Sequence, residues 1–174
     1  MVAAVHLVPV TASNAAHTLP QVLRLIKELA LFERSPESVE ATIELLERSF
    51  GFVDGAQKYC EGVLAYEEGK EPGEGVEAVG MAVYFFTFST WTGRGGLYLE
   101  DLYVSESHRG QGIAKKLFNY LGKVCDERGL PRMDWVVIDW NEPAKEVYRR
   151  MGAKHMSEWQ LMRLTDEPLK KLAQ

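Results

Sequence analysis

A short segment containing two glycines, Gly110 and Gly112, lies between a strand-like apolar run at 97–104 and a long helical pattern at 112–128. Glycine adopts positive φ at low cost, so such a segment can turn sharply into a helix. The first N–H groups of a helix have no partner within it, and the helix dipole attracts an anion there. The segment therefore predicts a strand–turn–helix unit with a binding site for a diphosphate, or, in the simpler interpretation, only a tight turn at a helix start.

The two commonest phosphate-binding motifs do not describe this turn. A dinucleotide fingerprint starting at Gly110 requires glycine at the position of Lys115. A P-loop requires a Gly-Lys-Ser/Thr triplet, which the sequence lacks. Both of these nucleotide-binding classes are therefore excluded.

Composition predicts a single domain over 1–174, because 174 residues with 46% hydrophobic side chains are enough for one core. The chain has 20 Lys and Arg against 25 Asp and Glu, a net charge of -5. That balance argues against a nucleic-acid partner and is compatible with a small cationic ligand.

Cys60 and Cys125 are too few for a disulfide framework, and neither they nor the four histidines show metal-ligand spacing. We expect a reduced, metal-free protein. The first ten residues do not resemble a signal peptide, and no run approaches 18 apolar residues. The expected location is therefore the cytoplasm, without a membrane partner.

Periodicity predicts an α/β fold with a mixed sheet. Strands are expected at 3–10, 59–66, 76–88, 97–104, 133–138 and 153–164, and helices at about 18–31, 36–49 and 112–128 and from Asn141 to Gly152. The charged, glycine-rich residues 67–75 suit a solvated hairpin loop between the second and third strands. In such sheets ligands bind beyond the carboxyl ends of strands, here beyond Val104 and Ile138.

Arg109, Gly112 and Ala114 fit the Arg/Gln-x-x-Gly-x-Gly/Ala signature of the GNAT N-acetyltransferases. More widely, the chain resembles the spermidine/spermine (diamine) and thialysine N-acetyltransferase branch of that superfamily, whereas 35–75 fit it poorly. The matching stretches are RLIKELA at 24–30, YFFT at 84–87, LYLEDLYV at 97–104, WNEP at 140–143 and YRRMGA at 148–153.

The resemblance implies a mixed, mostly antiparallel sheet with helices on both faces and splayed central strands. It implies direct transfer of acetyl from acetyl-CoA to a primary amine in a ternary complex. It also implies a homodimer whose acceptor pocket includes residues of the partner chain.

Two residues are candidate catalysts. An alkylamine has a pKa of about 10.4 and must lose a proton before it attacks a thioester. Glu100, which strand alternation places with Tyr98, Leu102 and Val104, is the candidate base through a water molecule. The alternative is a charge on an edge strand. Tyr148 matches the family's general acid, which protonates the departing thiolate, although a tyrosine on an apolar helix face is also a common core residue.

The family pattern also implies the contacts to acetyl-CoA. Backbone N–H groups of the last strand residues before the turn hold the thioester carbonyl, and the turn holds the pyrophosphate. Asn141 is either a helix cap, a cofactor contact, or both. The implied cofactor residues are Leu102, Tyr103, Val104, Arg109, Gly110, Gln111, Gly112, Ile113, Ala114, Lys115, Asn141, Ala144 and Tyr148.

An acidic pocket selecting a polycation by charge pairing is implied for the acceptor. Its residues are Phe32, Glu33, Glu100, Asp101, Asp134, Val136 and Glu158. Phe32 replaces a tyrosine of the polyamine enzymes and Asp134 a histidine. Three interpretations therefore remain open: a di- or polyamine N-acetyltransferase, the same chemistry on thialysine, another amino acid or a protein amine, and a CoA-binding module without catalysis.

Overall fold

The computed structural model describes residues 4–173, so Ala3, the first residue of the predicted strand 3–10, lies outside it. These residues form two compact units, the first ending at Val136 and the second beginning at Val137.

The first unit is built on a five-stranded sheet in the order β1-β2-β3-β4-β5. Its strands are β1 (Val5–Pro9), β2 (Glu61–Glu67), β3 (Gly80–Ser89), β4 (Arg94–Val104) and β5 (Met133–Asp134). Its helices are α1 (Ala15–Phe32), α2 (Ile43–Ser49) and α3 (Ile113–Glu127), with short 3-10 turns at Pro36–Ser38 and Glu106–His108. Strands β1 to β4 are antiparallel and β5 is parallel to β4, which confirms the mixed, mostly antiparallel class.

Helices cover both faces of this sheet, as the resemblance implied. Leu117 and Leu121 of α3 are fully buried in a cluster with Ala82 of β3. Leu19 and Leu25 of α1 are fully buried in a separate cluster on the other face. Burying each such side chain contributes about 1.5–3 kcal/mol, so the two clusters fix both helices on the sheet.

The predicted helix at 36–49 is interrupted. A 3-10 turn at Pro36–Ser38 is followed by extended residues, and α2 begins only after Thr42, whose hydroxyl accepts a hydrogen bond from the N–H of Leu45 at 3.3 Å. A threonine side chain that bonds the backbone favours a helix start over a helix interior. The apolar periodicity did not show this break.

The predicted strand at 133–138 is also too long. Only Met133 and Asp134 pair with β4, opposite Leu97 and Tyr98. The next residue, Trp135, packs instead against Phe118 of α3, with ring centroids 5.6 Å apart. Within the described chain, β4 therefore continues for six residues without pairing to β5, in line with the splayed strands that the resemblance implied.

The second unit contains α4 (Glu142–Arg150) and α5 (Asp166–Lys171). The side-chain oxygen of Asn141 accepts the N–H of Ala144 at 3.2 Å, and Gly152 follows α4 with φ of 86°, so both predicted ends of this helix are confirmed. The predicted last strand at 153–164 is wrong, because these residues form turns and loop. Apolar alternation does not supply the hydrogen-bonding neighbour that a strand needs.

None of the helices within residues 4–173 is both long and apolar enough to cross a bilayer.

Candidate active site

Strand β4 contains one residue more than its partner β3. Tyr84 pairs with Leu99 and Val83 with Asp101, so Glu100 has no partner. This is a β-bulge, in which an extra residue interrupts the ladder and changes the direction of the following side chains.

The bulge changes which face each later residue occupies. Leu99 packs on the α3 side of the sheet, and so does Leu102, whereas regular alternation would place them on opposite faces. Glu100 and Asp101 therefore both face the α1 side, where Tyr103 is buried. The expectation that Glu100 shares a face with Leu102 and Val104 is wrong for this reason.

Three carboxylates converge on the α1 side. Burial, followed by the charges of Glu100 and Glu33, raises the pKa of Asp101 to about 6. Glu33 directly follows α1, and burial raises its pKa as well. We call Glu33, Glu100 and Asp101 the carboxylate cluster. Crowded negative charge in a partly buried place favours the binding of a cation.

Cys60, which the sequence did not single out as a site residue, lies beside this cluster. Burial raises the pKa of its thiol to about 11, with Lys58 opposing that shift and Glu100 adding to it. Cys60 packs with the α1-side apolar cluster. Cys60 comes close to Glu100 only because β2 pairs with β3 and β3 with β4. No local sequence motif could therefore have revealed this proximity.

Replacing Asp101 by asparagine should stabilise the protein at neutral pH. The folded pKa of about 6 lies above the ordinary value of 3.8, so the folded state binds the proton more tightly. The wild type therefore loses stability as pH rises from about 4 to about 6, and its stability stays at the lower level above that range. We expect Asp101→Asn to gain about 1–2 kcal/mol at pH 7, after allowance for solvent screening, and almost nothing at pH 4.

Urea unfolding of both proteins at pH 4 and pH 7 measures this gain, and Asp54→Asn at an exposed loop position serves as the matched control. Equal stability of wild type and Asp101→Asn at pH 7 would contradict the electrostatic description of the cluster.

The predicted diphosphate turn has the backbone geometry of an amide cradle. Gly110 and Gly112 have φ of 74° and 82°, and a Cβ at Gly110 would meet no atom within 4 Å. Gly112 is the N-cap of α3 and supplies no capping side chain, so no cap occupies the first-turn N–H groups of Ile113, Ala114 and Lys115. The Gln111 side chain is turned back onto the carbonyl of Ser107 at 3.2 Å. These residues fit a diphosphate bound through the main chain.

The Arg109 side chain lies over the ends of α1 and β4. Its guanidinium carbon is 4.7 Å from the ring centroid of Phe32 and 5.4 Å from that of Tyr103. Its Nε donates to the carbonyl of Val104 at 3.1 Å. A contact between Arg109 and the pyrophosphate stays a prediction.

The end of β4 presents backbone amides at its unpaired edge. The N–H of Ser105 donates to the carbonyl of Val79, the residue before β3, at 3.0 Å. Because N–H directions alternate along a strand, the N–H of Tyr103 also points toward β3, and those of Leu102 and Val104 point away from it. The carbonyl of Val104 points the same way, since it accepts from Arg109. Leu102 and Val104 thus have the orientation needed to hold a carbonyl oxygen, whereas the Tyr103 amide does not.

The remaining predicted residues are placed as follows. On β5, Asp134 forms an ion pair with Arg132 at 3.0 Å, and Val136 beyond it is 56% exposed. Within the second unit, Tyr148 is half-buried on α4 and Glu158 is exposed in the loop after it.

This fold and this turn are those of an acetyltransferase family. Residues 22–153 match the model of the acetyltransferase (GNAT) family, and the chain belongs to it. The protein is therefore an enzyme of the acyltransferase class.

Two curated relatives with acetyltransferase names match most of this chain. Thialysine N-epsilon-acetyltransferase of Bos taurus is 37% identical over 87% of this chain and 89% of the relative. Spermidine/spermine N(1)-acetyltransferase-like protein 1 of Homo sapiens is 35% identical over 88% of this chain and 22% of the relative. Among solved structures, an integron cassette protein of V. cholerae superimposes with a TM-score of 0.75 over 98% of both chains, at 24% identity, and supports the fold alone.

Proposed function

We propose that this enzyme transfers the acetyl group of acetyl-CoA directly to a primary amine of a small di- or polyamine. The observation that carries the proposal is the bulge at Glu100, which adds a second carboxylate to one face of β4 next to Glu33. A cluster of this kind suits an acceptor with two positive charges, because one ammonium can stay paired while the other amine reacts.

The acetyl donor would be held by main-chain groups of two neighbouring segments. The amides of the glycine turn, Gly110 to Lys115, suit its diphosphate, and the outward amides of Leu102 and Val104 suit its thioester carbonyl. Asn141 and Ala144 at the start of α4 are proposed as further contacts. When bound, acetyl-CoA supplies an acetyl group activated as a thioester.

Glu100 would prepare the amine for attack. A protonated alkylamine, with a pKa near ~10.4, has no lone pair, so Glu100 accepts its proton through a water molecule. The amine nitrogen then bonds to the carbonyl carbon and the carbon–sulfur bond breaks, while the nitrogen gives up its second proton to water as the neutral amide forms. Asp101, Glu33 and the ring of Phe32 would hold the rest of the acceptor, while Asp134, Val136 and Glu158 are proposed as outer contacts.

Tyr148 would donate a proton to the departing thiolate. The proposal for this residue rests on the family motif at 148–153 and on the confirmed limits of α4, whose capping Asn141 lies two helical turns earlier. A phenol is a suitable donor because its pKa lies near that of the thiol formed.

Thialysine or another amino acid is the second candidate acceptor. Relatives named thialysine N-epsilon-acetyltransferase match this chain over most of both lengths. The departures at Phe32 and Asp134 from the polyamine enzymes favour the same alternative.

A thiol-release assay with acetyl-CoA tests the proposal. The acceptors are putrescine, spermidine, spermine, thialysine, lysine and a peptide with a free N-terminus. We expect fastest release with a small dibasic amine. Preference for thialysine or lysine supports the second candidate, whereas no release with any amine, despite binding of CoA, indicates a module without catalysis.

A further inference from the structure

The Arg109 side chain connects two parts of the first unit that the proposed function assigns to different substrates. Its guanidinium lies over the rings of Phe32 and Tyr103, and its Nε is held by the carbonyl of Val104. These three contacts together limit where the guanidinium can move. Arg109 is exposed as a whole residue, yet these contacts give its guanidinium a defined place.

On the acceptor side, Arg109 holds the end of α1. Phe32 is the last residue of this helix, and the N–H of the next residue, Glu33, donates to Leu29 at 2.8 Å. The charge of Glu33 in turn contributes to the raised pKa of Asp101. Fixing the Phe32 ring thus fixes one member of the carboxylate cluster relative to the other two.

On the donor side, Arg109 begins the glycine turn. Its backbone is extended after the 3-10 turn Glu106–His108, and the next residue is Gly110 with φ of 74°. A shift of the turn therefore moves the arginine that contacts Phe32.

We propose that Arg109 is a positioning residue, which fixes the end of α1 and its Glu33 against β4 and so sets the acceptor pocket from the first residue of the donor turn. This inference rests on the proposed function, in which the carboxylate cluster binds the amine.

The variant Arg109→Lys tests this role, because lysine keeps the charge and loses the planar fork. We expect the KM for the amine to rise about fivefold to tenfold, and by a larger factor than the KM for acetyl-CoA, which loss of the predicted pyrophosphate contact would also raise. Arg128→Lys is the matched control. Arg128 directly follows α3, its guanidinium carbon lies 4.3 Å from the ring centroid of Phe86, and it has no proposed role in the site. A rise in the acetyl-CoA KM alone, in Arg109→Lys or Arg109→Ala, would overturn the inference in favour of a diphosphate ligand.

A double-mutant cycle with Phe32→Leu separates coupling from two independent effects. If Arg109 acts through Phe32, the double variant raises the amine KM little more than the worse single variant. If the increases in amine KM of the two single variants multiply in the double variant, the two residues act separately. That result would overturn the inference.

Amide hydrogen exchange tests the same inference independently of enzyme activity. We expect the amides of 30–34 to exchange about tenfold faster in Arg109→Lys than in wild type, while those of Arg128→Lys stay unchanged. Unchanged exchange at 30–34 would overturn the positioning role even in an active enzyme. If the wild type acetylates no amine, the proposed function fails, yet the exchange still decides whether Arg109 holds the end of α1.

Discussion

Tyr148→Phe should lower kcat about a hundredfold while changing the KM for acetyl-CoA less than threefold. The phenol is proposed to protonate a sulfur whose charge develops only as the carbon–sulfur bond breaks, so its loss affects the transition state more than binding. Steady-state thiol release at saturating amine, with acetyl-CoA varied, measures both parameters.

Tyr59→Phe is the control for loss of a phenol, because Tyr59 is 69% exposed in the loop before β2. Its kcat should equal that of the wild type. If Tyr148→Phe also retained full kcat at every pH, Tyr148 would not be the proton donor.

Glu100→Gln should lower kcat/KM for the amine about a hundredfold at pH 7, and progressively less as pH approaches 10. Below its pKa near ~10.4 the acceptor needs a base, whereas at higher pH more of it is already neutral. The pH profile of kcat/KM for the amine shows whether the loss shrinks in this way.

Glu127→Gln, at the exposed end of α3, removes a carboxylate without touching the carboxylate cluster and should leave the profile unchanged. A loss in Glu100→Gln that is constant across pH would instead assign Glu100 to amine binding.

The sequence predicted the elements whose signals are local. Helix α3 is predicted at 112–128 and runs from Ile113 to Glu127, because its signals are local: an apolar face within it, and Gly112 and Gly129, with φ of 82° and 62°, beyond its two ends. Asn141 and Gly152 likewise set the ends of α4 through their own backbone contacts and conformation.

The sequence did not predict features that depend on a distant partner. The apolar run at 133–138 suited a strand, yet only two residues have β4 within pairing distance, and Trp135 packs on α3 instead. The alternating run at 153–164 has no pairing strand in the part of the chain described. Apolar alternation indicates which residues prefer burial but not which strand lies beside them.

The bulge at Glu100 is an intermediate case. Apolar residues recur every second position to Leu99, then skip two to Leu102, and this irregular spacing is visible in the sequence. Its consequence for Asp101 and Glu33 is not visible, because it requires the end of α1 to lie against β4. The contact of Arg109 with Phe32 depends on the same packing.

The carboxylate cluster is proposed to select an acceptor by its second positive charge. Comparing kcat/KM for putrescine with that for butylamine, in wild type and Asp101→Asn, tests it most directly, since the two amines share a four-carbon chain. We predict at least a tenfold preference for putrescine in the wild type, mostly lost in Asp101→Asn. Equal rates for both amines in the wild type, or a preference that survives in Asp101→Asn, would contradict it.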